Sequence, residues 1–304
     1  MSAILIAGTG ALATLFAARL AAAGHQVSML GSWRNGLQAL HERGARLVGA
    51  DGREHAEHVQ ATDDPAAVRG ARLCLVLTKS WQTERVAAQL AMCLDEDALA
   101  VTLQNGIGNR ELLSKALGAR RVALGTTTTG ATLLGPGLAR AGGEGVISLE
   151  AHPSLPPLEA ALRSAGFQIH VVKDAQSLVW GKLVINAAIN PLTALLRVTN
   201  GELLRRPAAR ALMADLARET AAIARAEGVE LAFQDPIAAA EKVARDTAAN
   251  HSSMFQDVGR GAPTEIDAIC GAVAERGRKH NIPTPANQVC WQLVRALAGI
   301  GQVM

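Results

Sequence analysis

Lys182, Asn186 and Asn190 stand four residues apart in an otherwise apolar run from Trp180 to Pro191. On a helix, residues four apart lie one above another, so these three form a single polar stripe. A solvated face would carry several charges rather than one lysine and two amides, and a buried stripe must find partners. The pattern points to catalysis or ligand lining.

A second signal lies at the start of the chain. Gly8-Thr9-Gly10-Ala11-Leu12-Ala13 follows an apolar strand and opens a helix, the setting of a dinucleotide loop with alanine at its third small position. Gly8 permits the tight turn, and Gly10 leaves room for a pyrophosphate over the helix N-terminus. At the end of the next strand, Leu30-Gly31-Ser32-Trp33-Arg34-Asn35 offers no carboxylate for a ribose 2′-hydroxyl. Ser32 and Arg34 suit a 2′-phosphate better, which favours NADPH over NADH. Arg34 could equally be solvated, and Trp33 could cap a helix or lie beside an adenine.

Two strand ends carry further polar groups. Lys79, in Thr78-Lys79-Ser80-Trp81, follows an apolar strand at the carboxyl end where such sheets bind ligands. It is either a solvated lysine or a donor to substrate or cofactor. Asn105 ends the next strand in Leu103-Gln104-Asn105-Gly106. Asn250-His251-Ser252-Ser253 and Thr264-Glu265-Ile266-Asp267 place hydroxyls and carboxylates at helix starts, where capping and the helix dipole already explain them.

The elements that must hold these groups alternate in the first half. Strands are expected at Ala3–Ala7, Gln26–Leu30, Ala45–Val48, Arg72–Thr78, Ala98–Leu103 and Gln168–Val172, with helices over Ala11–Ala23, Trp81–Met92 and a stretch ending at Leu117. Residues 121–150 read as strands joined by turns, followed by a helix after Pro157. This predicts a parallel sheet covered on both faces, an α/β Rossmann-type dinucleotide-binding domain over residues 1–170. Helical patterns then run at Ser177–Ala194, Pro207–Glu227, Pro236–Asp246, Thr264–Lys279 and Ala286–Ala298, an all-α domain over residues 171–304. Chemistry is expected where the two domains adjoin.

Length and composition agree with two domains: 304 residues, 49% hydrophobic and 19% charged. Charge is even, with 15 basic and 14 acidic residues up to position 170 and 15 and 13 beyond, so nucleic acid is a poor partner. The N-terminus lacks the basic region and cleavage pattern of a signal peptide, and its apolar stretches are short, so a cytoplasmic location without a membrane partner is expected. Cys74, Cys93, Cys270 and Cys290 show no metal-ligand spacing and read as buried thiols. No metal is expected. The helical half could provide a homodimer face, although no exposed heptad marks one.

Taken in order, Gly8-x-Gly10-Ala11, Thr78-Lys79-x-Trp81, Gln104-Asn105-Gly106-x-Gly108, Gly125-Thr126-Thr127-Thr128, Lys182-Leu183-x-x-Asn186-x-x-x-Asn190-Pro191-Leu192-Thr193-Ala194, Ser252-Ser253-Met254-x-Gln256-Asp257 and Thr264-Glu265-Ile266-Asp267 closely resemble the ketopantoate reductase family. The resemblance spans essentially the whole chain. It implies NADPH-dependent reduction of 2-dehydropantoate to (R)-pantoate, a step toward pantothenate. It makes Lys182 the general acid at the ketone oxygen and Glu265 its partner. Lys79, Asn105, Asn186, Asn190, Asn250 and Ser253 become substrate contacts. Gly8, Thr9, Gly10, Ala11, Leu12, Ser32 and Arg34, with Lys79, Asn105 and Glu265, become cofactor contacts. The chain has no Tyr, so the proton must come from another group. One departure concerns the cofactor: where family members carry arginine directly after the pair ending the second strand, this chain has Ser32, and the nearest arginine is Arg34. A related reductase of another small 2-oxo acid, or a nucleotide sensor without turnover, are the alternative readings.

Overall fold

The structure, a computed structural model, describes residues 2–49 and 51–299. The chain divides into two compact units, residues 1–104 with 109–175, and residues 105–108 with 176–304. The strands are β1 (Ala3–Ala7), β2 (Gln26–Leu30), β3 (Ala45–Val48), β4 (Glu54–Glu57), β5 (Gln60–Thr62), β6 (Ala71–Val76), β7 (Leu94–Thr102), β8 (Val122–Thr127), β9 (Ala131–Gly135), β10 (Leu138–Ala141), β11 (Val146–Glu150) and β12 (Gln168–Val172). The first unit's helices are α1 (Ala11–Ala22), α2 (Arg34–Arg43), α3 (Thr83–Cys93), α4 (Asn109–Leu117) and α5 (Pro156–Ser164). The second unit's are α6 (Gln176–Leu196), α7 (Glu202–Arg205), α8 (Pro207–Ala226), α9 (Pro236–Asp246), α10 (Ser253–Gly259), α11 (Ala272–His280) and α12 (Pro285–Gly299).

Alternation along the apolar strands sets the layers of the first unit. Ile4, Ile6, Leu73, Leu75, Leu99 and Val101 point to one face, where they pack with Leu15, Phe16 and Leu20 of α1 and Leu158 and Leu162 of α5. Leu5, Ala7, Cys74, Val76, Ala98 and Ala100 point to the other, against Val86 and Leu90 of α3 and Leu113 and Leu117 of α4. Strands buried on both faces have no polar side to show, which is why they read as continuous apolar runs. The sheet has the order β12-β11-β8-β7-β6-β1-β2-β5. It is parallel from β5 to β8, and β11 joins β8 antiparallel. Because β2 and β6 flank β1 on opposite sides, the strand order reverses at β1, and in sheets of this kind ligands bind at the carboxyl ends of the strands beside such a reversal. A second sheet, β4-β3-β10-β9, was not foreseen: it pairs β3 with β10 from a distant part of the chain.

The second unit is helical and is built around α6. Its apolar residues Leu183, Val184, Ala187, Ala188 and Leu192 form a core with Met213, Leu216 and Ile223 of α8, Met254 of α10, and Cys290 and Val294 of α12. Among the described residues α6 is the one helix long and apolar enough to cross a membrane by composition, and 67% of that stretch is buried in the protein.

Three sequence expectations change. The expected helix Thr264–Lys279 is a π-helical turn at Asp267–Gly271 followed by α11. A division at residue 170 cuts β12, which stays paired with β11 as far as Val172, so the first unit continues to Ala175. The loop Asn105–Gly108 belongs with the second unit, because the Ile107 N–H donates to the Ala268 carbonyl at 3.0 Å.

Candidate active site

In the first unit, the glycine loop turns at the carboxyl end of β1. Gly8 has φ +134°, and a Cβ there would lie 3.0 Å from the Leu77 carbonyl carbon and oxygen, so both conformation and neighbours require glycine. Gly10 occupies the N-cap of α1, and a Cβ added to it would meet nothing within 4 Å. The space above this helix start is open, and the first turn carries no acidic residue. An open helix N-terminus of this kind suits a phosphate group. Thr9 is buried, and a Cβ on Gly31 would come within 2.6 Å of its methyl group, so its side chain packs against Gly31. Ala11 and Leu12 are part-buried, and Leu12 packs on the sheet core.

Ser32 and Arg34 are both exposed just beyond β2, with Arg34 as the first residue of α2. Trp33 occupies the N-cap position but makes no side-chain cap; its ring lies on Gly36, where a Cβ would come within 2.4 Å of the indole. The indole is thus held on the first turn of α2. Lys79 is part-buried just after β6, where its N–H donates to Gln82 Oε1 at 3.3 Å.

In the second unit, α6 runs unbroken through Lys182, Asn186 and Asn190, which share one face as the spacing demanded. Lys182 and Asn186 are part-buried and Asn190 is buried. Pro191 lies inside the helix and has no N–H to give the Ala187 carbonyl. Beyond it, Thr193 Oγ1 lies 3.1 Å from the Ile189 carbonyl and 2.7 Å from Ser252 Oγ, which accepts from the Phe255 N–H at 3.1 Å. This chain ties the start of α10, and Ser253 at its first position, to the Asn190 turn of α6. Ser253 is exposed, and so is Asn250, whose carbonyl accepts from the Asn200 N–H at 3.0 Å.

Glu265, only 4% exposed, precedes the π-helical turn. It accepts a hydrogen bond from Asn105 Nδ2 at 2.9 Å. Gly106 makes that approach possible: its φ is +80°, and a Cβ would sit 2.4 Å from the Ala268 carbonyl oxygen. Burial strips water from the Lys182 ammonium and lowers its pKa from 10.5 to about 8, while the Glu265 carboxylate partly opposes the fall. Lys182, Glu265 and Asn105 are therefore one coupled group. A lysine held near neutrality beside an oriented carboxylate can give up or take a proton at working pH. Among the described residues, no three His, Cys, Asp or Glu side chains cluster as metal ligands, and all four cysteines are buried free thiols.

Sequence reasoning passed over two residues. Thr193 lay inside a recognised block without a role of its own, and Gln104 stood beside Asn105 with a polar side chain at the end of an apolar strand. That polarity was the available signal.

A Rossmann-type sheet with its glycine loop, followed by helices carrying a lysine–glutamate pair, defines an NAD(P)-dependent oxidoreductase. Residues 4–154 match the family model described as ketopantoate reductase PanE/ApbA, and residues 174–298 match its C-terminal model. The chain is 34% identical over 297 residues to the 2-dehydropantoate 2-reductase of Halobacterium salinarum, covering 96% of this chain and 97% of that protein. The crystal structure of a PanE/ApbA family ketopantoate reductase from Ralstonia eutropha JMP134 superposes with a TM-score of 0.92 at 33% identity, covering 99% of this chain and 100% of that one. D-mandelate dehydrogenase, solved with NADH and anilino(oxo)acetate, also superposes with a TM-score of 0.92, at 26% identity, covering 99% of this chain and 100% of that one. The chain belongs to the ketopantoate reductase PanE/ApbA family.

Proposed function

We propose that the protein reduces 2-dehydropantoate to (R)-pantoate with NADPH. The observation that carries the reading is the Lys182–Glu265–Asn105 group, in a chain 34% identical to a 2-dehydropantoate 2-reductase. A reduced nicotinamide, when bound, supplies a hydride to the ketone carbon. The Lys182 ammonium donates its proton to the ketone oxygen as negative charge builds there, and Lys182 is later reprotonated from water. Desolvation makes the ammonium a stronger acid, while Glu265 keeps it charged near pH 7. Asn105 holds that carboxylate in one orientation. Asn186, Asn190, Asn250 and Ser253 supply donors and acceptors for a small polar substrate. Lys79 supplies a cation for an anionic group of substrate or cofactor, which would be costly to enclose unpaired.

For the dinucleotide, Gly8, Gly10 and the N–H groups of Ala11 and Leu12 would receive the pyrophosphate, with Thr9 contributing only backbone. Ser32 and Arg34 would receive the 2′-phosphate. Their exposure just past β2, with no carboxylate from residue 26 to 41, supports this preference.

A second reading, reduction of another small 2-oxo acid with NADH, is favoured by the likeness to D-mandelate dehydrogenase with NADH. Steady-state oxidation of NADPH and NADH with 2-dehydropantoate and a panel of 2-oxo acids separates the two. Highest kcat/KM on 2-dehydropantoate with NADPH is the expected result; no turnover of it beside fast turnover of another acid overturns the first reading.

A further inference from the structure

The carboxyl ends of β6 and β7 are joined through one side chain that has no part in the chemistry above. Gln104 Nε2 donates to the Thr78 carbonyl at 3.1 Å, to Thr78 Oγ1 at 3.2 Å and to Thr83 Oγ1 at 2.9 Å. Its Oε1 accepts from Thr102 Oγ1 at 3.0 Å. Thr83 Oγ1 in turn lies 2.8 Å from both the Ser80 carbonyl and Asn109 Oδ1. Thr78, Ser80, Thr83, Thr102 and Asn109 are all buried. One amide thus ties together the end of β6, the start of α3 and the end of β7, and Thr83 extends the network to Asn109 at the start of α4.

The pattern fixes which way the amide faces. Turned over, its oxygen would meet the Thr78 carbonyl, and its nitrogen would lose three acceptors. The residue it grips by both carbonyl and hydroxyl is Thr78, whose next neighbour is Lys79. A lysine at the end of a strand aims its charge only as well as the backbone beneath it is held.

We propose that Gln104 is a positioning residue for Lys79: it clamps the Thr78 peptide so that the Lys79 ammonium is presented in one place, and it touches no ligand itself. The inference rests on the reading of Lys79 as a contact for an anionic group. Because the Nε2 protons are the working atoms, Gln104→Glu keeps shape but sets a carboxylate oxygen against a carbonyl. Protonating that carboxyl restores one donor, so the defect shrinks as pH falls.

The experiment is a double-mutant cycle on kcat/KM, using the 2-oxo acid and dinucleotide that the unaltered protein turns over. Lys79→Ala, Gln104→Glu and the double variant are measured at several pH values, with melting temperatures alongside. Gln104→Glu is expected to lower kcat/KM by about 10–100-fold alone and by less than about threefold in the Lys79→Ala background, as coupled sites do. Its defect should narrow toward low pH as the introduced carboxyl is protonated, and the loss of the defect in the Lys79→Ala background is the readout that a merely structural role would not give. Thr83→Val, which removes one acceptor, is expected to give a smaller loss with the same dependence on Lys79 and no narrowing with pH, and serves if Gln104→Glu does not fold. Full additivity, or a folded Gln104→Glu with unchanged kcat/KM, overturns the inference. Unchanged kcat/KM in Lys79→Ala alone overturns instead the reading of Lys79 on which it rests.

Discussion

Asn105 Nδ2 donates to Glu265 Oε2 over 2.9 Å, although the two residues are 160 positions apart in the chain. The contact depends on the residue between Asn105 and Ile107. A methyl group on Gly106 would meet the Ala268 carbonyl at 2.4 Å, and the φ of +80° would strain any L side chain. Gly106→Ala is therefore expected to lift the loop and lower stability by about 1–3 kcal/mol. It should also lower kcat, and Asn105→Ala should lower kcat with a smaller loss of stability. Urea denaturation beside steady-state kinetics measures both; a Gly106→Ala variant with unaltered stability and kcat would show that the loop does not need this approach.

Lys182→Ala should reduce kcat by about 10²–10⁴-fold, the usual contribution of a positioned general acid. Dinucleotide binding, followed by quenching of tryptophan fluorescence, should change little. Unchanged kcat would remove Lys182 from the role of proton donor.

The lysine also fixes a pH dependence. With its pKa lowered to about 8, Lys182 carries its proton below that pH, so kcat/KM for ketone reduction should fall as pH rises through about 8. Oxidation of the hydroxy acid needs the neutral amine and should rise over the same range. Stability carries the same signature. The folded pKa of about 8 lies below the ordinary 10.5, so the cost of burying the ammonium is fully present below pH 8 and is relieved as pH climbs toward 10.5. Lys182→Met should remove that part of the pH dependence of the melting temperature. Parallel curves for the two proteins would refute this.

Cofactor preference offers a separate test. Arg34→Ala should raise KM for NADPH more than for NADH, because only NADPH brings a 2′-phosphate to a charge-assisted donor. Ser32→Arg should widen the discrimination in favour of NADPH. Equal shifts with both dinucleotides in both variants would mean that the end of β2 does not read the phosphate.

Much of the first unit was legible because its strands are buried on both faces. The runs Ala3–Ala7 and Leu73–Val76 leave no polar side that could suggest another element. The stripe of Lys182, Asn186 and Asn190 was legible for a similar reason, since a four-residue spacing has one meaning on a helix. The π-helical turn after Glu265 was not. No proline interrupts the run from Asp267 into α11, and the turn's surroundings come from afar: Trp291 Nε1 donates to Asp267 Oδ1 at 2.7 Å, and a Cβ on Gly271 would meet the Trp291 ring at 2.9 Å. The β3–β10 pairing was hidden because its partners are separated by most of the first unit. Gln104 was hidden because its partners Thr78 and Thr83 are contributed by segments 26 and 21 residues earlier.

Because Asn105–Gly108 belongs with the second unit, the two units are interleaved along the sequence. Neither unit is a contiguous stretch of gene. A fragment beginning at Gln176 would contain Lys182 and Glu265 but not the amide that orients the carboxylate. During synthesis, Asn105 leaves the ribosome long before Glu265 exists, so this loop waits for its partner until the last third of the chain has been translated. Splitting the coding sequence at the apparent domain border would therefore leave the carboxylate without its orienting amide, whereas moving residues 105–108 with the C-terminal part would carry it along.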